Sequence, residues 1–267
     1  MICEIPGQAA PTAFRNYILV ENSESSEIPE HKELREETAQ NLPSEAEAAE
    51  EGAPWEDALF PLLALGVAVY LAQMWWSDFK ARAKGEDVQG ALPGTTACTP
   101  LAIYIGICGA LVLLIGQVIG EYGLGLVAEQ SDIVWLFLLQ MIAAAVWEEI
   151  IFRGFLVIEN KGKKLLIASA LGVSLIFAIG HPHLWSLDFP EGVSAWEFWK
   201  GDFELHFTTK AFYSTGWLFV MSLWFYWMRF ASFNPQRSLL PCMAAHLAYN
   251  LGVFITKLAQ GHVVGLY

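Results

Sequence analysis

Six stretches of this chain, residues 58–76, 100–120, 133–158, 165–181, 211–230 and 239–256, are each dominated by apolar side chains over close to the length needed to cross a bilayer. A helix rises 1.5 Å per residue, so about 20 such residues span the ~30 Å hydrocarbon core. None of the six alternates with the period of two that a barrel strand requires, so the pattern predicts helices. The expected fold class is all-α, a polytopic transmembrane helix bundle of about six spans. Hydrophobic residues make up 55% and charged residues only 16%, which is a membrane composition.

The net charge of −13 belongs almost entirely to one end. Residues 1–57 hold 14 Asp or Glu against 3 Lys or Arg. The segment predicts an acidic tail over 1–54, too poor in apolar surface to offset its chain entropy, followed by a membrane domain over 55–267. The first twenty residues lack the basic stretch and long apolar run of a cleaved signal peptide, so the apolar helices are expected to direct membrane insertion. No basic patch exists to neutralise phosphates, which excludes nucleic acid as a partner. Four cysteines without a CxxC pair predict neither disulfides nor a thiolate zinc site.

Basic residues mark alternate connections: Lys80, Arg82 and Lys84 after the first span, Lys161, Lys163 and Lys164 after the third, and Arg229 and Arg237 flanking the one after the fifth. Cytoplasmic loops are enriched in Lys and Arg, so these three connections are expected on the cytoplasmic side and both termini on the other. The connection over 182–207 is polar and rich in aromatics such as Trp185, Trp199 and Phe203. It reads as an interfacial or re-entrant segment before the fifth span.

Ionisable side chains inside a span cost several kcal/mol each and normally face the bundle interior for a reason. The third span holds Glu148, Glu149 and Arg153. Glu149 and Arg153 are four residues apart, share a helix face and can neutralise one another, whereas Glu148 points about 100° away and has no local partner. A carboxylate left in an apolar site is suited to general acid/base work. The fourth span ends in His181, followed by Pro182, which cannot continue the helix. In the sixth, His246 and Asn250 lie one turn apart and offer two hydrogen-bonding groups to one point. Each set alone has a plain structural explanation, as an ion pair pinning helices, an interface histidine or an interhelical hydrogen bond. Together they place a glutamate, two histidines and an asparagine on three spans, sufficient to activate water and stabilise an oxyanion.

The strings Glu148-Glu149 to Arg153, Phe177 to His181, and His246 to Asn250 resemble, in order, the EExxxR, FxxxH and HxxxN motifs of the CPBP family, the CAAX-processing and bacteriocin-processing intramembrane glutamic endopeptidases. The resemblance covers roughly 133–256. It implies an enzyme in which Glu148 with His181 activates the attacking water, His246 and Asn250 form the oxyanion hole, and Glu149 and Arg153 support the site, with no cofactor. Its partners would be the lipid bilayer and a membrane-associated or lipidated peptide or protein substrate, and its location the plasma (inner) membrane. Two other readings compete. A zinc metalloprotease could use a Glu and both His as ligands, though no HExxH is present. A non-catalytic scaffold or immunity-type membrane protein could keep the same residues for packing.

A geometric tension follows from these assignments. A straight fourth helix from residue 165 carries His181 to the far surface, whereas Glu148 and His246 lie about 15 Å from the near one. The topology predicts that a cysteine placed in loop 161–164 is inaccessible to an impermeant thiol reagent added to intact cells; labelling there would reverse the orientation.

Overall fold

The computed structural model describes residues 55–188, 190 and 195–266. The acidic segment over 1–54 lies outside them. Six long helices follow in order: α1 (Trp55–Ala83), α2 (Pro100–Gly123), α3 (Phe137–Glu148, continued by a π-helix over Glu149–Phe155), α4 (Lys163–Gly180), α5 (Thr209–Phe230) and α6 (Leu240–Gln260). Their limits fall within a few residues of the apolar stretches, apart from α1, which runs on to Ala83. By length and composition, three are long and apolar enough to cross a membrane: Leu62–Ala83, Pro100–Gly123 and Lys163–Gly180. The others carry buried Glu148, Glu149, Arg153, Ser222, Arg229 and His246.

The ends of the helices follow from local chemistry. Thr99 caps α2 by accepting a hydrogen bond from the Ala102 amide, with Pro100 in the first turn where its missing N–H is not needed. Thr208 caps α5 in the same way through Ala211. Gly261 ends α6 with a positive φ of 84°, a conformation that a side chain would strain.

Alternate connections meet at one end of the bundle. The α1–α2 loop reaches the α5–α6 loop through Thr96 to the Gln236 carbonyl and Ser238 to the Thr96 carbonyl. The loop after α3 joins them through Glu159, which pairs with Arg229 and Arg237. At the opposite end, Lys210 pairs with Glu121 and Lys257 donates to the Ser131 carbonyl. The polypeptide therefore runs up and down, as alternating basic loops require.

The core lies among α2, α3, α5 and α6, where Leu114, Ile150, Met221, Phe225, Met228, Cys242 and Ala245 are buried together. α1 packs chiefly on α3, and α4 chiefly on α5. Close helix contact depends on small residues, as in membrane bundles generally. Along α2, a side chain at Gly109 would collide with Trp224 and one at Gly120 with Tyr213, while Gly116 faces Trp217. The outward faces of α1, α2 and α4 expose Val67, Tyr70, Tyr104, Val112, Ile115, Leu171 and Ile176, the apolar belt expected against lipid.

The connection between α4 and α5 forms a β-hairpin, β1 (Trp185–Asp188) antiparallel to β2 (Asp202–Leu205). Trp185 pairs with Leu205 and Leu187 with Phe203, so one face is apolar and the other carries Ser186, Asp188, Asp202 and Glu204. The sequence had suggested an interfacial or re-entrant segment and no strands. Alternation is present here, but over only four residues per strand. The Trp185 indole donates to the Ile179 carbonyl and closes the end of α4.

Gly109→Val is expected to destabilise the purified protein by about 1–3 kcal/mol through overpacking against Trp224. Gly123→Val, where a side chain meets open space, serves as the control. Equal unfolding midpoints for the two variants would remove Gly109 from the helix interface.

Candidate active site

The α-helical ladder of α3 ends at Glu148, and Glu149–Phe155 continues as a π-helix in which hydrogen bonds reach back five residues, as from the Leu156 amide to the Ile151 carbonyl. This is the site's main departure from the expected regular helix. Glu149 and Arg153 still pair, with Arg153 Nη1 3.2 Å from Glu149 Oε1 and both side chains fully buried.

Arg153 is enclosed on several sides. Its Nη2 donates to Ser222 Oγ on α5 at 2.7 Å, and Ser222 donates to Ser174 Oγ on α4 at 2.9 Å. The guanidinium lies 4.4 Å from the centre of the Phe177 ring and 5.0 Å from that of Phe225. These contacts replace part of the hydration that the cation loses on burial.

His246 joins the two carboxylates. Its Nδ1 is 2.8 Å from Glu149 Oε1, and its Nε2 is 3.9 Å from Glu148 Oε2. With Glu149 as acceptor, Nδ1 carries the proton and Nε2 faces Glu148. The imidazole stacks on Phe225, with ring centres 4.9 Å apart, and this fixes its plane. Consecutive residues at an α-to-π junction thus meet opposite edges of one ring.

Asn250 lies one turn further along α6 and donates through Nδ2 to the Met141 carbonyl at 2.8 Å. Its remaining amide hydrogen and carbonyl oxygen are not used in that bond. His181 sits just beyond α4, its Nδ1 2.8 Å from the Phe177 carbonyl, which commits that nitrogen as donor and leaves Nε2 bare. No hydrogen bond or ion pair joins His181 to Glu148. Phe177 bridges the gap: its ring centre is 4.7 Å from that of His181 and 6.5 Å from that of His246. Phe177 is level with Arg153 and His246, so His181 stands only about one 5.4 Å turn beyond them. The geometric tension seen in the sequence shrinks to that turn.

Four residues of the surroundings were not singled out from sequence. Ser174 and Ser222 hold Arg153, as described. Gln117 accepts from Tyr249 and donates to buried Glu121, which also accepts from Gln130. The spacing of Gln117 and Glu121, four residues apart on one span, was a readable signal. Serines in spans are too common to stand out. His183, beside His181, is exposed at the surface; desolvation of the rest of its ring and its proximity to His181, Lys210 and Lys257 lower its pKa to about 4, so it adds no charge near neutrality. Among the described residues, no three His, Cys, Asp or Glu side chains converge as a metal-holding group. An apolar cleft of about 430 Å³ lies between α1, α3 and α6, lined by Val69, Trp75, Trp76, Val146, Leu240 and Met243.

A polytopic helix bundle with two carboxylates, two histidines and an amide gathered in and beside its interior is a membrane protein built around a buried polar centre. Residues 130–252, which contain all three motif strings, match the family model described as Rce1-like, type II CAAX prenyl endopeptidase Rce1-like. That segment is similar to this family, and the match together with the apolar helices indicates an integral membrane protein and an intramembrane protease of the CAAX-protease type. No curated protein and no solved structure matches it.

Breaking a fully buried ion pair costs about 3–5 kcal/mol. Glu149→Gln is expected to destabilise the protein by that order, because Arg153 stays charged and loses its counterion. An unchanged denaturant midpoint in lipid nanodiscs would show that Arg153 does not depend on Glu149.

Proposed function

We propose that this chain hydrolyses peptide bonds of membrane-associated or lipidated substrates at a centre formed by Glu148, His181, His246 and Asn250, with Glu149 and Arg153 holding it in place. The observation that carries the proposal is the convergence of Glu148 and Glu149 on opposite nitrogens of His246. A water about 2.8 Å from both Glu148 Oε2 and His246 Nε2 completes a triangle on their 3.9 Å separation. Glu148 takes its proton, and the hydroxide attacks the scissile carbonyl. The free amide hydrogen of Asn250 donates to the carbonyl oxygen as charge develops on it. Glu148 then returns the proton to the leaving amine.

The family resemblance pairs Glu148 with His181 for water activation. The closer approach of His246 favours a second assignment, in which His246 shares the water and His181, as an imidazolium, serves the carbonyl side. The two give different double-mutant cycles, since residues acting as one unit are strongly non-additive. The cleft beside Val146 and Met243, each within a turn of the centre, suits the hydrocarbon chain of a lipidated substrate. The plasma (inner) membrane is the proposed location.

Comparative proteomics of membrane fractions carrying wild type or Glu148→Gln tests the activity. A peptide bond cut only by wild type is expected, and its absence rejects the proposal. On a fluorogenic farnesylated peptide ending in a CAAX box, Glu148→Gln should lower cleavage about 100-fold or more with the fold retained. His246→Ala in the Glu148→Gln background should add little if those two share the water. An additive loss transfers that role to His181. Activity lost on chelation and restored by stoichiometric zinc would replace the scheme with a metalloprotease.

A further inference from the structure

The segment Glu149–Phe155, EIIFRGF, contains nothing that prefers a π-helix to an α-helix. It has no proline, and a continuous α-helix would keep better backbone hydrogen bonds. The departure must be imposed from outside, and α5 supplies the means. Ser222, Tyr226 and Arg229, spaced four and three residues apart, form one stripe on that helix. Ser222 accepts from Arg153 Nη2. The Tyr226 hydroxyl donates to the Phe152 carbonyl at 2.6 Å. Arg229 reaches the Gly154 carbonyl at 3.5 Å and pairs with Glu159 just beyond. Two of the three contacts therefore fall on backbone carbonyls of the π-helix itself, and the third on its buried arginine.

We propose that the Ser222–Tyr226–Arg229 stripe is a template that holds residues 149–155 in the π register, and that these three are positioning residues for the Glu148–His246–Glu149 constellation. Relaxing the segment to an α-helix would introduce one residue of turn, about 100°, between Glu148 and the groups beyond the segment. Arg153 would leave Ser222, and Glu149, tied to Arg153, would leave His246 Nδ1. Glu148, on the α-helical side of the junction, would stay. The template thus sets one carboxylate against the other across the imidazole. Its consequence for catalysis rests on the proposal that Glu148 and His246 form the reacting centre; the hydrogen-bonding claim does not.

The test uses the full chain in lipid nanodiscs with ¹⁵N-labelled histidine, the His246 signals being assigned by their loss in His246→Gln. Wild type should show His246 as a single tautomer protonated on Nδ1. Tyr226→Phe keeps the ring beside Arg153 and removes only the hydroxyl; it should give a mixture of tautomers and lower kcat on the farnesylated reporter about tenfold or more, with KM unchanged. Ser222→Ala should act likewise, and Ser222→Thr should restore the wild-type spectrum. A folded Tyr226→Phe with a wild-type His246 spectrum overturns the template. Should Tyr226→Phe not fold, the serine pair decides: identical spectra for Ser222→Ala and Ser222→Thr overturn it, and rescue by Thr alone supports it. Tautomer mixing with undiminished cleavage leaves the template standing and removes His246 from the reacting centre.

Discussion

The rest of the bundle is arranged around one burden, an arginine and a glutamate fully buried inside a membrane protein. Glu149 and Arg153 are both fully buried and in direct contact, yet their mutual attraction does not by itself replace two lost hydration shells. The surroundings supply the remainder. Phe177 and Phe225 face the guanidinium, Ser222 and Ser174 carry a hydrogen-bonded link from α3 through α5 to α4, and His246 binds the carboxylate from α6. Four helices are thereby tied to one ion pair, with directional bonds where lipid-like packing alone would be indifferent to register.

Glu148 and Glu149 show how environment separates two identical side chains. Glu149 has its arginine and its imidazole proton, so its role is committed within the fold. Glu148 is turned to the opposite edge of the same ring with no cation of its own. A pair of carboxylates in unlike surroundings is the arrangement from which distinct acid/base roles arise. It depends on the helix changing type between the two residues.

Much of this was legible in the sequence because the membrane imposes strict periodicity and length. The six apolar stretches gave the helices to within a few residues at most ends, and the alternating basic loops gave the up-and-down course of the chain. Glu148, Glu149, Arg153, His246 and Asn250 stood out because polar groups are conspicuous in such runs. The π-helix did not, since its cause lies in Ser222, Tyr226 and Arg229 some seventy residues away, and no local pattern encodes it. The hairpin was missed because WSLD and DFEL alternate over four residues each, too short a run to separate from a polar loop. The depth of His181 stayed open because sequence gives distance along one helix, whereas the Phe177 ring stands beside the rings of His181 and His246.

The glycines of α2 also bear on motion. Where Trp224, Trp217 and Tyr213 of α5 sit over Gly109, Gly116 and Gly120, the two helices are keyed along three turns, and neither sliding nor axial rotation is open to them without driving an indole or a phenol into backbone. α2 and α5, with α6 packed against both, act as a stator. α1 and α4 lack such keys, and each leans chiefly on one partner. α4 is nevertheless bound to the ion pair through Ser174 and Phe177, so among the described residues α1 is the outer helix without a contact to the pair, and motion there would leave the pair undisturbed.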